Sequence, residues 1–398
     1  MAQTKDPAEA PPTRPPPWND PRIRAIAFQV LVSAGAVALA AYLVRNLMHN
    51  LEMRGISTGF GFLSNRAGFA INQALIAYSE ESSTYGRTFV VGLLNTLLVS
   101  GLGIVFSTIL GFIVGVARLS RNWLVAKLAL AYIEIFRNLP LLVQILFWYF
   151  AVFLNLPAPG EALHAGDSVF LTLRGLYLPR PQAQAGFGWT AAALVAALVA
   201  SVALARWSRY RQERTGKRFP AYLASVALLA GVPLAAFVLT GRPLQWVKPE
   251  LAGFNFTGGI AVTPELAALL VSLSIYTAAF IAETVRAGIL SVSLGQTEAA
   301  YALGLRPGWT LRLVIIPQAM RVTIPPLTSQ YLNLTKNSSL ATAIGYPDLV
   351  SLFAGTTLNQ TGQAVEVMSM TMAVYLVISL VISMFMNWFN ARMALVER

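Results

Sequence analysis

The sequence predicts an all-α membrane protein with about eight transmembrane helices. Of its 398 residues, 56% are hydrophobic and only 12% are charged, and the mean hydropathy is +0.60. A soluble domain of this size does not need so apolar a composition. Several stretches reach the roughly 20 helical residues that cross a hydrocarbon layer about 30 Å thick. They are continuous runs of Leu, Ala, Val and Ile without the alternation of barrel strands, which favours helices.

Composition also excludes several kinds of chemistry. The chain has no cysteine, which excludes disulfides, thiolate catalysis and cysteine-ligated metals. Its two histidines, His49 and His164, lie far apart in predicted loops. The Walker A phosphate-binding pattern does not occur. We therefore expect no catalytic residue, no metal site and no bound nucleotide in this chain, so that any energy has to come from another subunit.

Eight apolar runs follow one another along the chain. They lie near 26–46, 88–116, 124–154, 189–206, 221–240, 264–288, 321–345 and 365–390. Residues 1–21 are rich in proline, alanine and charge, which predicts a disordered tail. The first run is long and lacks a clear small-residue cleavage pattern, so we expect a retained anchor instead of a signal peptide.

The net charge of +12 is concentrated beside the apolar runs. If every run crosses the membrane, the basic segments that begin at Arg22, Arg118, Arg206, Arg306 and Arg392 all fall on one side. Basic loops are retained in the cytoplasm, so both termini are predicted to be cytoplasmic, while 49–87, 155–188 and 241–263 are periplasmic. The densest segment, Arg206–Arg218, has two interpretations. It either keeps the loop in the cytoplasm and contacts lipid headgroups, or it has a specific role in binding nucleic acid or acidic lipid. We favour the first.

One basic, partly amphipathic segment between two apolar runs has a specific spacing. Glu298-Ala299-Ala300 is followed after three residues by Gly304, and after nine more by an apolar-x-apolar pattern ending at Pro317. The alanines favour a helix, the glycine allows a left-handed residue and Pro307-Gly308 favours a turn. The segment resembles the cytoplasmic loop through which permease subunits of ATP-binding cassette (ABC) importers bind their ATPase. An ordinary interfacial helix would not explain the paired glycine and proline.

Three further blocks resemble the polar amino-acid branch of type I ABC importer permeases. They are Arg87–Leu98 continuing to Arg118, Tyr132–Gln144, and Tyr276–Gly288 with the later Lys336–Leu340. The resemblance covers 88–150 and 264–390, the five spans of the permease core. The N-terminal span and the two spans at 189–240 are additions, similar to those of one permease subunit of general L-amino acid importers of Gram-negative bacteria.

This resemblance implies an organisation and a set of partners. The predicted segments are a cytoplasmic tail (1–21), an extra N-terminal helix with a periplasmic segment (22–87), the first two core spans (88–156), an insertion with two extra helices (157–263), and the last three core spans (264–398) with a docking loop at 291–320. The implied partners are a second, homologous permease, a dimer of ATPases that carry ATP and Mg, a periplasmic amino-acid-binding protein, an L-amino acid and the lipid of a bacterial inner membrane, but no nucleic acid.

Within the docking loop the resemblance assigns ATPase contact to Glu298, Ala299, Ala300, Gly304, Arg306, Arg312 and Pro317. Glu298 can cap or pair near the first turn, and the two arginines can meet acidic or backbone acceptors on the partner.

Polar residues inside the apolar runs are candidates for the substrate path. An ionised Glu283 in mid-membrane needs a partner, and Arg286, Lys336 and Asn337 are candidates. Glu283 then either meets the substrate ammonium group or forms a structural ion pair that joins two helices. Asn95 and Thr96 either bond across helices or line the path, and we favour lining. With Lys336 they would hold the substrate carboxylate. The alternative function is an ion-coupled secondary transporter in which Glu283 is the coupling carboxylate.

Two further features concern packing. Gly101, Gly103, Gly111 and Gly115 predict close contacts between helices. Arg137 precedes Pro140, which disrupts the helical ladder, so we expect its side chain to cap freed carbonyl groups or to contact lipid phosphate.

Overall fold

The computed structural model describes residues 21–53, 55 and 58–393. Helices dominate, as predicted. They are α1 (Pro21–Met53), α2 (Tyr85–Arg118), α3 (Trp123–Asn138), α4 (Leu141–Leu146), α5 (Phe187–Thr215), α6 (Ala221–Leu239), α7 (Pro264–Leu290), α8 (Leu294–Ala302), α9 (Pro307–Thr310), α10 (Ile316–Asn337), α11 (Leu358–Thr361) and α12 (Ala364–Met393). The predicted tail at 1–21 lies outside the described residues except for Pro21, where α1 begins.

The predicted number of eight spans is not confirmed. Within the described ranges, six helices are long and apolar enough to cross a membrane: α1, α2, α5, α6, α7 and α12. Helix α3 and the helical stretch 141–155 make a seventh if the bent pair crosses as one span. Helix α10, where a further span is predicted, is not among them, because Gln318, Arg321, Gln330 and Lys336 make it too polar.

The chain bends by 104° between Asn138 and Leu141. Pro140 has no backbone N–H and disfavours helical geometry in the residue before it, so α3 stops there. The Gln144 side-chain amide donates to the carbonyl oxygens of Phe136 and Leu139, at 3.1 and 3.0 Å. Gln144, and not Arg137, therefore satisfies carbonyl groups at the break.

The centre of the fold is the contact between α2 and α7. Gly111 lies against Ala278 and Ile281, and Gly115, one turn later, lies against Ala282 and Val285. The contacts advance in the same direction along both helices, so α2 and α7 are parallel. Gly103 is close to Leu334 of α10, but Gly101 has open space around it. Close contact is thus confirmed for three of the four predicted glycines and is wrong for Gly101.

Helix α10 runs antiparallel to α7. A Cβ on Gly288 of α7 would meet the side chain of Thr323 and the carbonyl oxygen of Ala319. The buried Ile281 and Ile324 pack together with Met386 of α12 in one apolar cluster. Helix α12 begins at the end of the fold opposite to this cluster, where Val367 packs with Phe62 and Tyr85. The four helices α2, α7, α10 and α12 therefore form one packed body.

Eight short strands that the sequence analysis did not predict lie in the 157–263 segment. They are β1 (Leu163–Ala165), β2 (Val169–Thr172), β3 (Gly175–Leu178), β4 (Arg180–Ala183), β5 (Leu244–Val247), β6 (Glu250–Ala252), β7 (Asn255–Thr257) and β8 (Ile260–Val262). All pairs are antiparallel, in the sheets β1-β2-β3-β8, β4-β5 and β6-β7.

The strands lead directly into the membrane helices. Leu176 of β3 pairs with Val262 at the end of β8, and Thr263 then caps α7 by accepting a hydrogen bond from the backbone N–H of Leu266. The Tyr177 hydroxyl donates to Asn255 Oδ1 at 2.7 Å. Burial raises the pKa of Tyr177, although the Asn255 bond and the Arg174 charge act in the opposite direction. Tyr177 therefore remains a neutral donor at physiological pH.

Helices α5 and α6 form a hairpin that packs mainly on itself. The small residues Ala197, Ser201 and Ser208 are the buried residues of α5, whereas α6 has none. Because β4 precedes α5 and β8 precedes α7, both helices start at the strands and run away from them. The loop after α5 and the loop after α7 consequently lie at the end of the molecule opposite the strands.

The α2–α7 contact predicts a position-specific effect of adding one methyl group. In Gly111→Ala the new Cβ would lie 2.6 Å from Ile281 Cβ and 3.0 Å from the backbone oxygen of Ala278, so the helices must separate. We expect a loss of roughly 1–3 kcal/mol, as for other overpacked sites, seen as a lower unfolding midpoint of the purified protein. Gly101→Ala in the same helix is the matched control and should keep the native midpoint. Equal midpoints for the two variants would contradict this packing.

Candidate functional site

The segment from Leu294 to Thr310, called here the α8–α9 segment, projects from the packed body. It holds strongly exposed apolar side chains, with Leu294 79% and Leu303 82% exposed, and Trp309 is exposed as well. Ala300 and Thr310 are buried and fix the segment against the wide π turn at 311–315. Gln318 Nε2 of α10 also donates to Gln296 Oε1 at 3.2 Å. The segment is therefore anchored on one face and open on the other.

A sharp turn separates the two short helices. Gly304 has φ 77°, in the left-handed region that favours glycine. Its N–H donates to the carbonyl of Tyr301 and the N–H of Leu305 to that of Ala300, at 2.9 and 3.1 Å. This pair of bonds is a Schellman motif, which satisfies carbonyl groups at a helix end. Pro307 begins α9 at the position where a missing N–H has no cost.

The predicted docking residues are distributed over this segment and its continuation. Glu298 and Ala299 are exposed on α8, Ala300 is buried, and Arg306 and Arg312 are exposed. Pro317 is half-buried in the first turn of α10. Among the described residues neither arginine has an ion-pair partner. The two guanidinium groups are therefore free to meet an acceptor on another molecule.

Glu283 pairs with Arg286, one of the predicted candidates. Arg286 Nε donates to Glu283 Oε2 at 2.9 Å and Nη2 donates to Oε1 at 2.5 Å, a bidentate pair one helical turn apart. The structural alternative expected an ion pair that joins two helices. Both residues belong to α7, so this pair does not join two helices. About a third of each side chain is exposed, 33% for Glu283 and 29% for Arg286.

An open cavity of about 330 Å³ adjoins this pair. Its lining residues come from α3, α7 and α10: Arg137, Phe280, Glu283, Thr284, Ala287, Gly288, Val322, Pro326 and Gln330. The Arg137 guanidinium carbon lies 5.1 Å from the centre of the Phe280 ring, a cation–π contact. The cavity thus presents a carboxylate and a guanidinium group to one space.

Sequence reasoning gave Arg137 a structural role at the Pro140 break, and its position in the cavity lining was not predicted. The bend after Asn138 brings the end of α3 against α7. A signal was present, because Arg137 is a charged residue in an otherwise apolar run. Sequence spacing alone does not give the packing of α3 against α7 that places Arg137 over Phe280.

Asn95 and Thr96 bond across elements in this structure. Asn95 Nδ2 donates to the carbonyl oxygens of Gln73 and Pro347, at 2.9 and 2.8 Å. Thr96 Oγ1 accepts from the backbone N–H of Leu349 at 3.0 Å. Both side chains are fully buried, which corresponds to the cross-helix alternative of the sequence analysis. A role in lining a path stays a prediction for another conformation of the protein.

Lys336 and Asn337 lie at the end of α10. Lys336 is exposed and Asn337 is half-buried, and neither lines the cavity beside Glu283. Lys336 does not pair with Glu283, whose two carboxylate oxygens both accept from Arg286. The structure therefore does not bring together all five residues predicted for the substrate path.

Comparison with known proteins gives consistent matches. The family described as "Binding-protein-dependent transport system inner membrane component" matches residues 220–395. The chain is 57% identical over 381 residues to the protein YhdX of Escherichia coli, covering 96% of this chain and 97% of that protein. It is 51% identical over 379 residues to the "General L-amino acid transport system permease protein AapQ" of Rhizobium johnstonii, covering 95% of this chain and 94% of the relative.

A third relative is the "Glutamate/glutamine/aspartate/asparagine transport system permease protein BztB" of Rhodobacter capsulatus. It is 44% identical over 410 residues, covering 95% of this chain and 96% of the relative. All three alignments span at least 95% of the chain. Most of the 157–263 segment therefore lies within them, with the strands and the α5–α6 hairpin.

Proposed function

This chain belongs to the family of binding-protein-dependent transport system inner membrane components, and from that premise we propose that it is the permease subunit of an ATP-driven importer of L-amino acids. The names of the relatives AapQ and BztB support the substrate class. A periplasmic binding protein delivers the amino acid, and a second, homologous permease completes the path. ATP and Mg are held by a dimer of ATPase subunits. This function fits better than the ion-coupled secondary transporter.

The α8–α9 segment is the observation that supports ATPase docking. A segment that transmits motion from the ATPases has to be rigid where it joins the membrane helices and exposed where the ATPase contacts it. Ala300 is only 3% exposed and holds α8 against the 311–315 turn. Leu294, Leu303 and Trp309 offer an apolar contact surface, and Arg306 and Arg312 flank it with charge. Closure of the ATPases would then move α7 and α10, the two helices that the segment connects.

The orientation of the chain follows from the same assignment. The ATPases work in the cytoplasm, so the α8–α9 segment faces the cytoplasm and the strands face the periplasm. The loop between α5 and α6 lies at the same end as α8–α9 and carries most of its charge as Lys and Arg, as cytoplasmic loops do. Both termini are proposed to be cytoplasmic.

The cavity beside Glu283 suits a zwitterion. The carboxylate of Glu283 can accept from the substrate ammonium group, while Arg137, the guanidinium group that lines the cavity, can hold the substrate carboxylate. This proposal moves the carboxylate contact away from Asn95, Thr96 and Lys336, because the first two are buried in hydrogen bonds and the third lies outside the cavity. Substrate would compete with Arg286 for Glu283, so binding and the internal ion pair exclude each other in part.

Uptake by the reconstituted complex tests the function. We expect vesicles with the two permeases and the ATPases to take up L-glutamate only when ATP is on the ATPase side and the binding protein is on the other side. An ionophore that collapses ion gradients should not change the rate. Uptake without ATP that disappears with the ionophore would instead support an ion-coupled carrier.

The turn at Gly304 gives a test of docking. Valine at φ 77° costs roughly 1–2 kcal/mol, so Gly304→Val should weaken the binding of the ATPase to the affinity-tagged permease about five- to thirtyfold in a titration with the ATPase. Gly231→Val in α6 is the control, since Gly231 lies outside the α8–α9 segment, in open space and without a positive φ. If both variants retained the ATPase like the native chain, the α8–α9 segment would not be the docking element.

The substrate assignment has its own test. Glu283→Gln removes the charge that holds the ammonium group, and loss of a charge-assisted hydrogen bond should lower uptake about tenfold or more. ATPase retention should stay unchanged. Glu265→Gln, at the start of the same helix and bonded to Tyr149, should transport normally. Native uptake and native substrate-stimulated ATP hydrolysis in Glu283→Gln would remove Glu283 from the path.

A further inference from the structure

The loop end of the α5–α6 hairpin carries a dense basic cluster, defined by Arg206, Arg209, Arg211, Arg214, Lys217 and Arg218. One acidic residue, Glu213, lies among them. Five of the six basic side chains are exposed, and Arg211 is half-buried. In the part of the chain that the structure describes, none of them pairs with a carboxylate, since the ion pair there is Glu283–Arg286. The described residues therefore supply no counterion to the cluster.

Aromatic rings hold two of these arginines in place. The Arg211 guanidinium carbon lies 5.3 Å from the Trp207 ring centre, and that of Arg214 lies 4.4 Å from the Tyr210 ring centre. Trp207 packs edge-on against Phe219 at 5.5 Å. Such contacts orient the cations while their N–H groups remain available. Trp and Tyr are also the residue types enriched at the membrane–water interface.

The lengths of the two helices place the cluster at headgroup level. Helix α6 has 19 residues and is about 28 Å long, close to the thickness of the hydrocarbon layer. Helix α5 has 29 residues and is about 44 Å long, so its last turns extend past that layer. Counting roughly 20 residues from Phe187 reaches Arg206, where the charges begin.

The exposed apolar faces of the hairpin indicate that its surroundings are lipid. Its two helices pack on each other, and side chains such as Val199 and Leu223 point outward with 65% and 67% of their surface exposed. An apolar hairpin that stands beside the packed body has lipid as its neighbour on most sides. The nearest groups able to neutralise the cluster are then phosphate and other anionic headgroup oxygens.

We propose that this basic cluster is a binding site for anionic phospholipid headgroups, which clamps the α5–α6 hairpin in the leaflet that faces the ATPases. The guanidinium groups of Arg209, Arg211 and Arg214 donate to the headgroup phosphate, and the acyl chains lie along the exposed face of the hairpin. This site is separate from the cavity beside Glu283. It rests on the orientation argued above only for the identity of the leaflet, and its existence does not require the transport function.

Lipid selectivity measured by electron paramagnetic resonance tests the proposal. The full-length chain is reconstituted in phosphatidylcholine vesicles with traces of spin-labelled phosphatidylglycerol or phosphatidylcholine, and the immobilised fraction gives their relative association constant. We expect a preference for phosphatidylglycerol that falls by about threefold or more in Arg209→Gln/Arg211→Gln/Arg214→Gln, because each basic residue adds attraction to anionic lipid. The preference of the native chain should also fall as NaCl rises from low to high concentration.

A matched variant controls for the loss of three charges. Arg180→Gln/Arg242→Gln/Lys248→Gln removes three exposed basic residues at the opposite end of the molecule and should keep the native preference. The proposal is overturned by any of three results: no preference in the native chain, equal losses in both triple variants, or displacement of the labelled lipid by inorganic phosphate or single-stranded RNA at matched charge concentration. A preference of the native chain that does not change with salt also contradicts the proposal, and this measurement does not require the arginine variant to fold.

Discussion

The close parallel contact of α2 with α7 is the constraint on which the other features depend. At Gly111 and Gly115 the backbones of α2 and α7 approach so closely that no side chain fits between them. Helix α7 is then held on one side by α2 and on another by α10, and its end leads directly into α8. The position of the α8–α9 segment and of the Glu283 cavity both follow from where these helices are fixed. In lipid, where apolar burial gives little driving force, such backbone proximity is a main source of association.

The sequence predicted the helical class, the position of most long helices and the exposed segment after α7, because these depend on local composition and turn chemistry. It did not predict the strands, which are three or four residues long and too short to show alternation. For Asn95 it left open a bond across helices or a place in the path, and it could not identify the bonding partner, Pro347, which is 252 positions away. A polar residue in an apolar run indicates that a partner exists and does not indicate which one. The contact of Arg137 with Phe280 was not predicted either, since it depends on how α3 packs against α7.

The molecule combines a packed body with an attached hairpin. In the body, polar side chains such as Thr96 and Gln144 satisfy backbone groups at breaks and crossings. In the hairpin, small residues join two helices that otherwise contact lipid. The strands connect the two parts, because β4 leads into α5 and the β3–β8 pair leads into α7. The inserted segment and the packed body are thus connected through the same strands. The two ends of the molecule have different chemistry: hydrogen-bonded strands lie at one end and arginine-rich loops at the other.

The central claim is that the α8–α9 segment and the strands lie on opposite sides of the membrane, with the former in the cytoplasm. The chain has no cysteine, so single substitutions can be labelled without a background. Gly308→Cys and Asp167→Cys occupy exposed positions in α9 and in the β1–β2 turn. In intact cells with a permeable outer membrane, a membrane-impermeant maleimide should label Asp167→Cys at once and Gly308→Cys only after the inner membrane is opened. Labelling of Gly308→Cys in intact cells would contradict the account.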